Sequence, residues 1–486
     1  MYIPRMMSTQ HPDNVTVPFF AETPDMSGDD EIQEAYYAFS HLGCDEQMWD
    51  SEGKEIDDFV VRKLLTRYPY FFRDKRLGKD LFLTLRLPNP SVEKDEAKVV
   101  VETLESIPRS MDVARLFYGS DTPPIFEVIL PMTTSAEELN RIYYFYRNFI
   151  SGMQNQPISS GDITIAQWIG QFSPEKINVI PLFEDKEHML DATKIVSAYL
   201  KDKEVDYLRV FLARSDPAMN YGMISAILCN KIALQRLRRL SEKMGIKIYP
   251  ILGAGSPPFR GNLTPYTVED VIVEYPEVET FTVQSAFKYD NPVEDVIKAI
   301  KRLKSFERRP FREVDEELCI ALIEKISKEY QRQIEYLAPL INEVAQYIPR
   351  RRMRKLHVGL FGYSRSFGKI RLPRVIGFCA SCYSIGLPPE IIGLNALDSE
   401  DISCLKSVYE NFEKDMERAL RFFNPECLEI LPEEVRKNIR NELFDYEPDM
   451  AHREVTSRII GAIKEGTRIN LQDMVIEAAH IRRFLG

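Results

Sequence analysis

Two acids in the middle of the chain have the type and spacing that most directly suggest chemistry. Asn178-Val-Ile-Pro-Leu-Phe-Glu184 and Tyr207-Leu-Arg-Val-Phe-Leu-Ala-Arg-Ser-Asp216 are strand-like apolar runs, each closed by a carboxylate, with a helix-forming segment, Lys186 to Leu200, between them. Strand, helix and strand at this spacing form a βαβ unit, whose crossover makes the strands parallel and puts both acids on the same C-terminal edge. Neighbouring strands lie about 4.8 Å apart, so one cation can reach both. Two oxygen donors with no Cys or His beside them suit Mg²⁺ or Mn²⁺ rather than Zn²⁺. The same acids also suit helix starts, where carboxylates cap exposed N–H groups, and spacing alone leaves both readings standing.

Three further stretches carry polar groups suited to a site. Met6 to Asn14 places His11, one of six histidines, before Pro12 and among Thr9, Gln10, Asp13 and Asn14. A residue preceding proline is disfavoured in helix, so His11 belongs to an extended or loop segment, as a site residue or as an ordinary surface histidine. Leu252-Gly-Ala-Gly-Ser-Pro-Pro-Phe-Arg-Gly-Asn262 follows a strand-like run. Its backbone N–H groups, with Arg260, suit a phosphate or carboxylate. Pro258 stands where a dinucleotide fingerprint needs its third glycine. Gly362 to Ile370 resembles a P-loop only superficially, since Ile370 replaces Ser or Thr. Arg365, Lys369, Arg371 and Arg374 form a basic cluster there, suited to an anionic ligand or to a solvated turn.

The elements that must hold these groups alternate between two periods. Strand patterns are expected before His11 and over residues 80–88, 124–132, 178–184, 207–216, 247–253 and 279–287, with 357–363 closing the series. Helical patterns fall between them, including 29–40, 57–68 and 94–106, and Ser135 with Glu138 forms a capping-box pattern before a Tyr-rich helix. About eight short strands alternating with helices predict an α/β fold, a TIM-like (β/α)8 barrel, whose polar strand ends gather at one face. The expected organisation is a catalytic barrel over residues 1–365, with a helical insertion at about 292–354, and a helical C-terminal extension over 366–486.

Composition excludes several function classes. The 486 residues hold 44% hydrophobic and 28% charged side chains, ordinary for a globular protein with a large core. The net charge of −11 opposes general attraction to nucleic acid or an anionic membrane, so an anionic substrate needs a local basic pocket. The Met1-Tyr-Ile-Pro-Arg5 start lacks a signal-peptide apolar core, and the most apolar stretch, Val375 to Leu394, is interrupted by Pro388-Pro389-Glu390. Cytoplasmic location is expected. Cys379-Ala-Ser-Cys382 is a lone pair among seven cysteines and reads as core thiols.

Ser8-Thr-Gln-His-Pro-Asp-Asn14, Pro181-Leu-Phe-Glu184, Arg214-Ser-Asp-Pro-Ala-Met-Asn-Tyr-Gly222, Gly255-Ser-Pro-Pro-Phe-Arg-Gly261 and Phe281-Thr-Val-Gln-Ser-Ala-Phe-Lys-Tyr-Asp290 together resemble the archaeal-type phosphoenolpyruvate carboxylases across nearly the whole chain. The resemblance implies carboxylation of phosphoenolpyruvate by bicarbonate to oxaloacetate and phosphate, through carboxyphosphate and a metal-held enolate. It implies Mg²⁺, with Mn²⁺ as the alternative, no biotin and no nucleotide, and a homotetramer. On this resemblance Glu184 and Asp216 are the metal ligands and His11 is the base, an imidazole being available neutral near pH 7. Arg260 and Arg365 serve catalysis by compensating anionic charge, and Arg86, Gly253, Gly255, Ser256, Gln284 and Lys288 bind substrate. The rival readings are another Mg²⁺-dependent barrel enzyme of phosphoenolpyruvate or oxo-acids, and an inactive metabolite-binding relative.

Overall fold

A computed structural model describes residues 2–51, 57–310, 312–353, 365–367, 370–439 and 445–486. Eight strands pair in parallel in sequence order: β1 (Met6–Ser8), β2 (Glu46–Asp50), β3 (Phe82–Arg86), β4 (Glu127–Leu130), β5 (Asn178–Phe183), β6 (Tyr207–Ala213), β7 (Lys247–Gly253) and β8 (Thr280–Val283). β8 returns to β1 through Met6↔Phe281, Met7↔Thr282 and Ser8↔Val283, so the barrel is closed. This is the (β/α)8 architecture that the alternating pattern predicts.

Its strand inventory differs from the expected one. β2 was hidden in the sequence because Glu46 and Asp50 interrupt a five-residue run, and both are acids of the barrel interior rather than of a solvated turn. The expected strand at 357–363 lies outside the described residues, and the β8 to β1 pairing completes the ring without it. The expected strand 279–287 ends at Val283, and Ser285–Tyr289 is helical; likewise 207–216 ends at Ala213, and a helix begins at Ser215.

Period-two alternation separates two cores. Met7, Met48, Ile129, Ile180, Leu182, Phe211, Ala213 and Ile251 form a cluster inside the ring, while Trp49, Leu83, Leu85, Val128, Val179 and Phe183 face the surrounding helices. Below the inner apolar layer sits a polar one. Arg209 donates to Glu46 at 2.7 and 2.6 Å, to Glu127 at 3.0 Å and to Thr280 at 3.2 Å, and Thr84 donates to Glu46 at 2.5 Å.

The helices follow the same physical rules. Val293–Ser305 buries Val296, Ala299, Ile300 and Leu303 on one face, with Glu294 and Asp295 in its first turn and Arg302 and Lys304 in its last, complementing the dipole. Glu316–Ala345 packs along Met223–Met244 and against Val375–Ser384. Cys379 and Cys382 lie buried in that last helix, where burial raises both thiols. No single helix among the described residues is long and apolar enough to cross a membrane. The C-terminal segment returns to the start of the chain: Leu485 N–H donates to Asp13 O at 2.7 Å, and Val15, Ala380, Ala479 and Leu485 pack together.

Candidate active site

Parallel closure brings every strand's C-terminal end to one mouth. His11 follows β1, Arg86 ends β3, Glu184 follows β5, and Asp216 lies in the first turn of Ser215–Tyr221 after β6. Gly253 ends β7, and Gly255, Ser256 and Arg260 occupy the loop beyond it; Gln284 follows β8 and Lys288 lies in the next helix. Arg365 starts a short antiparallel strand, Arg365–Phe367, paired with Ile370–Leu372, and its side chain lies outside the described residues, as does Lys369.

β5 and β6 are neighbours, paired through Leu182↔Phe211 and Phe183↔Leu212, so the acids following them leave adjacent strands. The helix-capping task falls to a different acid: Asp185 caps Lys186–Leu190 by accepting from His188 N–H at 2.9 Å. Glu184 instead accepts from Met132 N–H at 2.6 Å, at the exit of the neighbouring β4. Met132 holds φ 49°, a left-handed conformation uncommon outside glycine, and Asn89 donates to the carbonyls of Pro131 and Met132 at 2.9 and 3.2 Å. The exits of β3, β4 and β5 are thereby tied together behind Glu184. Carboxylate oxygens from two adjacent strand ends fit a hard divalent cation, with its other positions left to water and substrate oxygens.

His11 Nδ1 lies 2.9 Å from Thr9 Oγ1, and its carbonyl accepts from Ser285 N–H at 3.2 Å. Two residues on, buried Asp13 accepts from Ala286 N–H at 2.7 Å and from Arg260 at 3.2 Å. Arg260 also donates to Ser215 Oγ at 3.1 Å, Gly486 O at 2.6 Å and Gln284 Oε1 at 2.5 Å. One guanidinium thus joins the His11 loop, the helix start bearing Asp216, the β8 exit and the C-terminal segment.

The glycine-rich loop uses many of its amides internally. Gly255 N–H donates to Arg260 O, Leu263 N–H to Gly255 O and Ala254 N–H to Thr282 Oγ1, each near 3.0 Å. Gly253 packs closely on Phe211, whose ring would have to shift to admit a Cβ 3.0 Å away. Phe259 N–H donates to Glu390 at 2.6 Å, and burial pushes the Glu390 carboxyl up to about 7. These bonds describe a braced loop more than the open amide cradle expected of it, because the Gly255 donor is already engaged.

Lys288 is likewise engaged. Its ammonium donates to Ser8 Oγ at 3.0 Å, Thr9 O at 2.9 Å and Glu34 Oε1 at 2.9 Å, which accounts for three N–H bonds. Arg86 is paired in a two-pronged contact with Asp50 at 2.9 and 3.1 Å. Sequence reasoning singled out neither Asp50 nor Glu34, and Asp13 only as a neighbour of His11. Asp50 became legible only with β2, whose register sets it opposite Arg86.

A family model described as "Phosphoenolpyruvate carboxylase" matches residues 3–486. The chain is 55% identical to a phosphoenolpyruvate carboxylase of Methanothermobacter thermautotrophicus, over 100% of both chains. It is 54% identical to one of Methanospirillum hungatei and 50% identical to one of Pyrococcus furiosus, again over 100% of both.

Proposed function

Because the chain belongs to the phosphoenolpyruvate carboxylase family and is an enzyme of that kind, we propose that the C-terminal mouth of its barrel carboxylates phosphoenolpyruvate with bicarbonate, releasing oxaloacetate and phosphate without biotin or a nucleotide. The observation that carries this reading is the convergence of His11, Glu184, Asp216, Arg86 and Arg260 on one mouth from five different strand exits.

A bicarbonate oxygen attacks the phosphoryl group, the bond from phosphorus to the enol oxygen breaks, and carboxyphosphate and the pyruvate enolate form. His11 removes the carboxyphosphate proton, so that phosphate leaves and CO₂ is released beside the enolate, whose methylene carbon bonds to it. Thr9, at Nδ1, orients the ring, and Nε2 is the atom proposed to take that proton. Glu184 and Asp216 would hold Mg²⁺ or Mn²⁺, which would supply positive charge to stabilise the enolate. Arg86, held by Asp50, and Arg365 are the further arginines assigned to compensating the anionic charge of the substrates. Arg260 contributes charge while fixing Asp13 and Gln284, and Gly253, Gly255 and Ser256 bring the β7 loop close to the substrate. The proposed assembly is a homotetramer in the cytoplasm, with no nucleic-acid or membrane partner; sedimentation and cell fractionation test these points.

The experiment is phosphate release from phosphoenolpyruvate with and without bicarbonate, in Mg²⁺ or after chelation. Release that requires both bicarbonate and the cation supports the proposal. Release indifferent to bicarbonate points to another enolate-forming barrel enzyme, and no release by folded, metal-supplied protein points to a binding protein.

A further inference from the structure

We infer that Lys288 is a positioning residue for His11, holding from behind the peptide that aims the imidazole; this rests on the proposed role of His11 as the base. The helix Ser285–Tyr289 and Asp290 after it grip the 8–16 loop along its length. Ser285 N–H donates to His11 O, Ala286 N–H donates to Asp13 Oδ1, and Asp290 accepts from Val15 and Thr16 N–H at 2.8 and 2.7 Å. Lys288 is the cation in this grip. Its bonds to Ser8 Oγ and Thr9 O fix the residue whose hydroxyl meets His11 Nδ1. The chain of contact is therefore Glu34, Lys288, Thr9, His11.

Opposite charges meet behind this chain. Arg352 donates to both Glu34 oxygens at 2.7 Å and to Glu31 at 3.1 Å, and Tyr289 OH donates to Glu34 at 2.8 Å. Among the described residues, two acids, Glu31 and Glu34, face two cations, Arg352 and Lys288. Burial alone raises the Glu34 carboxyl, but the charges and hydrogen bonds of Arg352 and Lys288 outweigh it and hold it at about 2. A saturated, buried ammonium has no donor left for substrate, yet it is well placed to set loop geometry. A misplacement of about 1 Å at a reacting group costs on the order of 10²-fold in rate.

Lys288→Met tests this. The expected result is kcat lowered about 10- to 100-fold with KM for phosphoenolpyruvate changed less than about twofold, and Thr9→Val added to it causing little further loss because both act through one path. With ¹⁵N-labelled histidine, and His11 assigned by its loss in His11→Asn, the His11 resonances should move in Lys288→Met while those of the other histidines stay. If the single variant does not fold, Lys288→Met/Glu34→Gln removes one charge of each sign, leaves the net charge unchanged and takes its place. A raised KM at unchanged kcat would make Lys288 a substrate-binding group and overturn the inference, as would an unmoved His11 resonance in folded protein. Should the wild type show no carboxylation, the proposed function fails separately, and the resonance shift still decides whether Lys288 positions His11.

Discussion

At the N-terminal end of the barrel, Arg209 is locked to Glu46, Glu127 and Thr280 inside the ring; at the C-terminal mouth, Arg86, Arg260 and Lys288 are also buried, Arg86 against Asp50 at the end of β2 but Arg260 and Lys288 against the His11 loop. Both ends bury cations against carboxylates. The lower cluster closes on strand residues, and burial raises the Glu46 carboxyl there, consistent with one arginine facing two glutamates. Apart from the Arg86–Asp50 pair, the upper contacts run from strand exits to the His11 loop, the β7 loop and the C-terminal segment. Burial and charge therefore do not mark a site by themselves; the direction of the strands decides which cluster meets substrate.

The largest effect expected from breaking this contrast is catalytic. Glu184→Gln or Asp216→Asn should lower carboxylation by about 10³-fold while thermal unfolding without ligands stays within a few degrees, as steady-state rates and calorimetry will show. Arg209→Met should do the reverse. It leaves two buried acids without their cation and should cost about 3–5 kcal/mol in denaturant titration, with kcat per folded molecule unchanged. A large kcat loss in folded Arg209→Met would merge the two ends into one functional unit.

Much of the mouth was legible because its groups lie in short motifs at strand exits, where periodicity changes from two to 3.6. The His11 motif, Glu184 and the β7 loop were found that way. β2 was not, because inward-facing acids at Glu46 and Asp50 imitate a polar turn when only five residues are in view. The pairing of Lys288 with Glu34, 254 residues apart, has no local signal at all; only the β8 to β1 closure brings them together. The sequence pattern makes Asp216 a strand end, whereas β6 stops at Ala213 and Asp216 lies in the first turn of the helix that begins at Ser215.

A smaller effect separates the mouth's bracing from its chemistry. Burial pushes the Glu390 carboxyl, behind the β7 loop, from 4.5 up to about 7. The folded state then holds a proton that the unfolded state releases, so stability falls as pH rises from about 4.5 to about 7. The shift corresponds to about 3 kcal/mol over that window. Glu390→Gln should flatten the slope in urea titrations between about pH 4.5 and 7; an unchanged slope would assign it to other groups. The smallest effect belongs outside both ends: Arg302→Ala, breaking the exposed pair with Glu269, should change stability by less than about 1 kcal/mol in the same assay.

The most direct test of the mouth as a carboxylating site is incorporation of ¹⁴C-bicarbonate into oxaloacetate with phosphoenolpyruvate and Mg²⁺, trapped as malate, for wild type beside His11→Asn. Labelled product is expected from wild type, and its loss, by about 10²-fold or more, from a His11→Asn protein that folds and binds substrate normally. Equal incorporation by both proteins would remove His11 from the chemistry, and no incorporation by folded, metal-supplied wild type would contradict the carboxylase assignment itself.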